Sequence, residues 1–379
     1  VALSLVLVLG GALFLRTFTS LTTAALGFDP KPMMVLNVNA SRVPPTATQA
    51  RLEGLVEAVR AVPGVAAAAL SEITPASGSG WNTLIDPPPG GLALPTKRRI
   101  SWVNAVSPAW FTTYSMHLLA GRDVDPRDVT GAPPVAIVNE EFARRYLAGH
   151  PVVGAEVRAE QGPTTKAYTV VGVVNDSVYK SARAGFEPVI YFPLAQMTTP
   201  KSLTLAVRVA GGSPAGLAAS VGRAVARALP EAGFTEHLMT DQLGAAVTQE
   251  RLVAMLAGFF GGLALLLAAL GLYGVTSYSV NRRRSEIGIR LALGADRGGV
   301  IRMVIGRVVW LVACGVVVGG ALSVWATKFI ATLLFNVTPR DPLTFAVATA
   351  VLFTAALTAG WLPARRAASI DPARVLREE

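Results

Sequence analysis

Cysteine and histidine are scarce in this chain: its 379 residues contain one cysteine, Cys314, and three histidines. A single thiol excludes an internal disulfide, and the three histidines lie far apart in the sequence. Zinc sites in proteins use several closely spaced ligands of these two residue types. The sequence therefore predicts no metal site, and it predicts folded parts that are stabilised by ordinary apolar cores rather than by covalent links.

Sequence signatures of catalysis are also missing. The chain has no G-x-x-x-x-G-K-[ST] phosphate loop, no H-E-x-x-H pair and no G-x-S-x-G nucleophile elbow. Its acidic pairs, Glu140 with Glu141 and Asp123 with Asp125, fall at a predicted helix start and in a turn, where carboxylates usually cap a helix or are solvated. We predict no catalytic residue and no enzyme activity in these residues, so that any ATP hydrolysis is supplied by another subunit.

Formal charge is missing from three long stretches, residues 253–280, 308–327 and 343–362. Each provides the roughly 20 residues that span about 30 Å of hydrocarbon, so each is predicted to be a transmembrane helix. Residues 1–15 are also apolar but would rise only ~22 Å. We therefore expect the sequence to begin inside a truncated first membrane helix, within residues 1–26. A cleaved signal peptide is the alternative for this segment.

Arginine is concentrated on one side of these helices. The loop between the second and third helices carries a cluster from Arg282 to Arg302, and four arginines follow the last helix. Because positive charge marks cytoplasmic segments, both are predicted to be cytoplasmic and residues 27–240 to be extracytoplasmic. Arginines beside anionic lipid headgroups then account for the net charge of +10. The lipid bilayer is the predicted partner of this charge, and nucleic acid is not.

The outer segment, residues 27–240, is predicted to be an α/β domain between the first two membrane helices. An amphipathic helix stands between two strand-like runs at each end of the segment, and we interpret these units as two halves of one subdomain. Their predicted strands and helices are at 33–38, 48–61, 65–70, 203–209, 214–229 and 235–239. Residues of about 86–200 between them form either an inserted subdomain or part of a single larger domain, and the sequence leaves both open.

The basic loop after the second membrane helix contains a candidate short helix over residues 285–293. Ser285 could cap its start, Glu286 and Arg290 are spaced for an ion pair, and Gly294 could end it. Two interpretations are equally supported by these residues alone: a helix that docks in a groove of a partner protein, or an interfacial helix anchored on lipid. The apolar surface in either case would come from Ile287, Ile289, Leu291 and Leu293.

Small residues recur in the predicted membrane helices. Gly315 and Gly319 form a GxxxG pattern in the third helix, and such a pattern lets two helices approach closely. We predict that helices pack together at these glycines, and dimerisation of the permease is one use of such packing. Acidic and basic residues, which mark ion or proton paths, are missing from the predicted spans, so an ion-coupled transporter is disfavoured.

Several phrases of the sequence resemble one known family. These phrases are RRRSEIGIRLALGADRGGVIRMVI, PARRAASIDPARVLREE, ISWVNAVSPAWFTTYSMHLLAGRDV, VAIVNEEFARRYL and YTVVGVVNDSVY. Together they extend over most of the chain. The chain resembles the FtsX-like, MacB-like permeases of ABC transporters, and in particular one half of the duplicated permeases in that family.

The resemblance implies one membrane helix, a periplasmic core domain, and then, over residues 241–379, a stalk with three further membrane helices. It implies a bacterial plasma membrane, a separate cytoplasmic ABC ATPase, a second permease copy or half, and a place for periplasmic partner proteins. In the family, the segment that matches Ser285 to Ala295 is the coupling helix that docks on the ATPase. A helix running nearly unbroken from residue 241 to residue 280, ~60 Å long, would supply the stalk.

Two functional hypotheses follow, and neither needs a cofactor. The first is a permease subunit that couples ATP hydrolysis by a partner to export or to conformational work on the periplasmic side. The alternative is a membrane-anchored sensor whose outer domain binds a ligand. A sensor normally carries a sizeable cytoplasmic output domain, which these residues do not include. A membrane-anchored enzyme ranks third, because no catalytic group of residues is found.

Overall fold

The computed structural model describes residues 1–43, 48–86, 95–161, 164–198, 201–293, 296–330 and 341–369. The chain divides into an outer unit, Ala24–Ala246, and a membrane unit that combines Val1–Thr23 with Val247–Glu379. Among the described residues, the outer unit contains both helices and strands, whereas the membrane unit contains helices alone.

Helices and strands are numbered along the chain. The helices are α1 (Ala2–Thr22), α2 (Thr48–Arg60), α3 (Trp110–Thr113), α4 (Glu140–Tyr146), α5 (Ala218–Ala228), α6 (Met239–Ala246), α7 (Thr248–Arg282), α8 (Arg284–Ala292), α9 (Arg297–Ile330) and α10 (Pro342–Ala368). The strands are β1 (Met33–Asn39), β2 (Val65–Ser71), β3 (Trp81–Asp86), β4 (Ile100–Val106), β5 (Leu118–Gly121), β6 (Val135–Asn139), β7 (Glu156–Gln161), β8 (Thr164–Val174), β9 (Val189–Pro193), β10 (Ser202–Val209) and β11 (Gly233–Leu238).

The two ends of the outer unit meet in one antiparallel sheet. β1 lies between β10 and β11, with Leu36 opposite Leu205 on one side and Glu236 on the other, and β10 continues to β2. Helices α2 and α5 pack on each other. Leu55 and Val225, from these two helices, are fully buried with the sheet residues of the same cluster. The two strand–helix–strand units of the sequence thus lie side by side.

Six other strands of the outer unit close into a ring, and β5 pairs with β8 beside this ring. Its order is β4, β3, β7, β8, β6 and β9, and β9 returns to β4 in parallel, with Trp102 opposite Val189. One pairing, Ser71 with Val106, joins the ring to the four-stranded part, so the sheet is continuous. The ring begins at Trp81, whereas the sequence placed the start of the inserted region near residue 86. The strand β3 was not predicted.

A buried asparagine fixes the ring where β6 passes into α4. Asn139 is fully buried, and its side-chain carbonyl accepts hydrogen bonds from the backbone N–H of Phe142 at 3.1 Å and of Val189 at 2.8 Å. Its amide group donates to the Asp176 carboxylate and to the Glu187 carbonyl. The first of these bonds caps α4, and the others hold β9 and the loop after β8 against the end of β6.

Among the described residues, four helices are long and apolar enough to cross a membrane: α1, α7, α9 and α10. The predicted spans 253–280, 308–327 and 343–362 each lie within one of these helices, and α1 contains residues 2–15 of the first predicted span. Helix α1 contacts the other three, and its buried Leu5 and Leu9 pack with Leu352 of α10. Near its end, Arg16 pairs with Asp341, whose carboxylate also accepts the Thr344 N–H at 2.9 Å and so caps α10.

The long helix expected over residues 241–280 is divided in two. α6 ends at Ala246 and α7 starts at Thr248, and Val247 between them has φ −110° and ψ 11°, outside the helical range. Glycine and β-branched residues form helices less readily than alanine or leucine, and Gly244, Val247 and Thr248 fall together at this point. The expected helix is therefore interrupted at one residue, Val247.

Candidate coupling helix and the groove beside it

The short helix predicted in the basic loop is α8, and it follows α7 almost without interruption. Only Arg283 separates them, at the N-cap position of α8 with φ −106° and ψ 17°. No side chain caps this helix start. Ser285, which was expected to be the cap, lies inside the first turn, because the helix already begins at Arg284. Gly294, the expected end, lies outside the described residues.

One side of α8 is anchored on the membrane helices. Ile287 is 5% exposed and forms a cluster with Val280 of α7, Val300 of α9 and Ala367 of α10, and Leu291 is packed against this cluster. Full burial of an isoleucine side chain stabilises a protein by roughly 1.5–3 kcal/mol. Of the four apolar residues that the sequence assigned to an exposed surface, Ile287 is therefore buried and Leu291 half-buried.

The opposite side of α8 is exposed. Leu293 is 83% exposed and Ile289 46% exposed. Glu286 and Arg290 form the expected ion pair, with 2.7 Å between Oε1 and Nη2. At this exposure such a pair contributes about 0.3–0.5 kcal/mol to the helix. The helix thus presents two apolar side chains beside a neutralised charge pair, while Ile287 fixes it to the bundle.

A groove of about 570 Å³ lies between α7, α8 and α9. Its basic residues are Arg282, Arg283, Arg290 and Arg307, and Glu286 is its acidic residue. The other lining residues are apolar or carry hydroxyl groups: Val275, Thr276, Tyr278, Ser279, Val280, Ile287, Met303, Val304, Val308 and Leu311. Sequence reasoning missed this groove, because the arginines come from three helices and only packing brings them together.

The predicted packing glycines of the third membrane helix contact α1 of the same chain. A Cβ added at Gly315 would lie 2.3 Å from Cγ1 of Val1, and one added at Gly319 would lie 2.8 Å from the carbonyl oxygen of Ala2. Both distances are shorter than real side chains allow. The GxxxG pattern therefore packs α9 against α1, and this face is occupied within the chain.

Ionisable groups of the outer unit form ion pairs that tie loops together. Arg122 donates to both carboxylate oxygens of Asp128 at 2.7 and 2.8 Å. Burial raises the pKa of Asp128, but the hydrogen bonds from Arg122 and from the Asp125 N–H outweigh it, and the net pKa lies below the usual value. Within the described ranges, no three His, Cys, Asp or Glu side chains are grouped to hold a metal ion.

Comparison with known proteins identifies the family. The MacB-like periplasmic core domain matches residues 1–224, and the FtsX-like permease C-terminal domain matches residues 258–372. The chain belongs to this family of permeases. The four membrane helices found among the described residues, with an α/β domain between the first two, are the architecture of an inner-membrane ABC transporter permease with a large extracytoplasmic domain.

The similar curated proteins are named macrolide export ATP-binding/permease protein MacB. Identity is 22% over 301 residues for the protein of Mannheimia succiniciproducens, 24% over 287 residues for that of Chromobacterium violaceum, and 26% over 292 residues for that of Escherichia coli K12. Each match covers 73% of this chain and 43% of the relative. The matches thus span less than half of these relatives' length.

Two solved structures that resemble part of this chain are the following. The periplasmic region of MacB from Actinobacillus actinomycetemcomitans matches with a TM-score of 0.40 and 12% identity, over 59% of this chain and 95% of that one. The extracellular domain of the ABC-type transporter YknZ from Gram-positive bacteria matches with a TM-score of 0.35 and 16% identity, over 52% of this chain and 93% of that one.

Proposed function

We propose that this permease couples ATP hydrolysis by a separate cytoplasmic ATPase to export or to conformational work on the periplasmic side. Membership of the permease family supports the proposal. So does the sequence, since its 379 residues include no phosphate loop with which to bind ATP. The relatives of this chain are named as ATP-binding proteins as well as permeases, which supports an ATPase as the partner.

The two-sided burial of α8 is the observation that carries this proposal. Its exposed side, with Ile289 and Leu293, is available to a partner, while Ile287 packs against α7, α9 and α10 together. Packed helices move as bodies and switch between discrete arrangements. A partner that displaced α8 would therefore shift three membrane helices at once. The set proposed to act as the coupling helix is Ser285, Glu286, Ile287, Ile289, Arg290, Leu291 and Leu293.

The substrate is proposed at the level of a class. The name of the relatives describes macrolide export, and we propose a lipophilic compound, a lipoprotein or a peptide handled outside the cell. A second permease copy or half is proposed as a partner. Because Gly315 and Gly319 already pack against α1, this second copy would contact a different surface of the bundle.

The test is ATPase stimulation in nanodiscs. The tagged chain is purified from its native membranes, the P-loop ATPase that comes with it is identified and produced, and its ATP hydrolysis is measured with and without the permease. We expect Leu293→Gln and Arg290→Glu to reduce the stimulation about 10-fold, since interface anchors contribute about 1–2 kcal/mol or more. The change removes an exposed apolar side chain in one variant and reverses an exposed charge in the other.

Arg302→Glu is the matched control for the charge reversal. Arg302 is exposed on α9 and lies outside the groove, so we expect its variant to stimulate the ATPase as the parent does. Stimulation that is unchanged in Leu293→Gln and Arg290→Glu would disprove docking through α8. Recovery of a ligand-dependent signalling protein in place of an ATPase would favour the sensor hypothesis.

A further inference from the structure

The groove between α7, α8 and α9 has two chemically different parts. Its rim carries four arginines, Arg282, Arg283, Arg290 and Arg307. Its apolar lining includes Val275 of α7 and Val304, Val308 and Leu311 of α9. A basic rim next to an apolar wall within one groove matches a ligand that has both an anionic group and a hydrocarbon part.

The charges of the rim are largely uncompensated. Glu286 pairs with Arg290 at 2.7 Å, which leaves three arginines in excess. Arg307 donates to the Ser279 hydroxyl at 3.4 Å, and the described residues place no carboxylate within ion-pair distance of Arg282, Arg283 or Arg307. Guanidinium groups gathered in this way bind phosphate oxygens well, because each presents several donors in a planar fork.

The location of the groove indicates where the anionic group comes from. It lies at the ends of α7 and α9 that meet the arginine-rich loop, which is the cytoplasmic end of the membrane helices. Anionic lipids are concentrated in the cytoplasmic leaflet, and basic pockets between membrane helices at this depth bind their headgroups. A soluble phosphate would use the arginines but not the apolar wall.

We propose that this groove binds one anionic phospholipid of the cytoplasmic leaflet. Its phosphate is held by Arg282, Arg283 and Arg307, and an acyl chain lies along Val304 and Leu311 between α7 and α9. A second copy of the same groove is a poor occupant, since it would bring the same excess of arginines against this rim. The lipid site does not depend on ATPase docking, because neither its phosphate ligands nor its wall belongs to the exposed side of α8.

Native mass spectrometry of the full chain in detergent tests the proposal. Dioleoyl phosphatidylglycerol and dioleoyl phosphatidylcholine are added in parallel, and inorganic phosphate and glycerol 3-phosphate are used as competitors. The parent chain is expected to retain one phosphatidylglycerol at least 10-fold more tightly than phosphatidylcholine. Arg282→Gln with Arg307→Gln should weaken that binding about 25-fold, taking about 5-fold for each arginine near the membrane surface.

Two further variants make the outcome specific to the groove. Arg302→Gln removes an exposed arginine outside the groove and should leave lipid binding unchanged. Val304→Trp places a larger side chain in the space beside the apolar wall. It should weaken the binding of phosphatidylglycerol while sparing any binding of phosphate. Equal retention of the two lipids, or an equal loss in Arg302→Gln and in the double variant, would overturn the proposal. Complete displacement by inorganic phosphate alone would show an ion site rather than a lipid site.

Discussion

The two units of this chain use apolar residues in opposite ways. In the outer unit, β6 and β9 are buried at every residue, and their side chains are enclosed by the rest of the unit. In the membrane unit, 11% of an apolar stretch of 18 residues in α7 is buried, and large side chains such as Phe259, which is 65% exposed, face outwards. The outer unit is stabilised by removal of apolar surface from water. The membrane helices associate through close packing, because lipid is as apolar as their side chains.

Replacing one phenylalanine in each unit gives the largest expected contrast. Phe142→Ala would leave a cavity among the buried residues around the ring and cost about 3–5 kcal/mol. Phe259→Ala removes a side chain that faces outwards and should cost under about 1 kcal/mol. Hydrogen exchange of the full chain in nanodiscs checks this, read at the amides of β6 and β9 for Phe142→Ala and at those of α7 for Phe259→Ala. If neither variant changed the protection of these amides, the expected difference between the two units would be contradicted.

Packing in the membrane unit is probed by leucine at two glycines. Gly319→Leu would drive a side chain into the backbone of α1, with an expected cost of about 1–3 kcal/mol and a lower Tm in detergent. Gly262→Leu is the control, because nothing lies within 4 Å of a Cβ at that position. Thermal unfolding followed by size-exclusion chromatography measures both. Equal Tm values for the two variants would show that the contact between α1 and α9 does not stabilise the bundle.

The smallest expected effect is the weakening of one ion pair of the outer unit by acid. The pKa of Asp128 is lower in the folded chain than the ordinary value of about 3.9, so its ion pair with Arg122 stabilises the outer unit above that pH and is lost as pH falls through the folded pKa. Arg122→Gln should shift the acid-induced loosening of the Arg122 to Asp128 turn to higher pH. Hydrogen exchange of this turn between pH 5 and pH 3 measures the shift. Identical pH profiles in parent and variant would contradict it.

The strands that were not predicted, β3, β5 and β7, differ in how clearly their sequence patterns indicate a strand. β7 alternates charged residues with the buried Val157 and Ala159, a period-two signal that was available from the sequence. β5 has four exposed residues, and β3 mixes Asn82, Thr83 and Asp86 with apolar residues, so neither shows a clear pattern. The parallel pairing of β4 with β9 joins residues nearly ninety positions apart, and no local pattern encodes such a pairing.

The sequence by itself determined the membrane spans, their orientation, the α/β class of the outer domain and the location of α8, because these depend on local runs of apolar and charged residues. Tertiary structure decided which side of α8 is exposed, since Ile287 and Ile289 are the same residue type and only packing buries one of them. It also decided that Gly315 and Gly319 contact α1 and that arginines from three helices line one groove. These contacts join residues that are far apart in the sequence, and only folding brings their surfaces together.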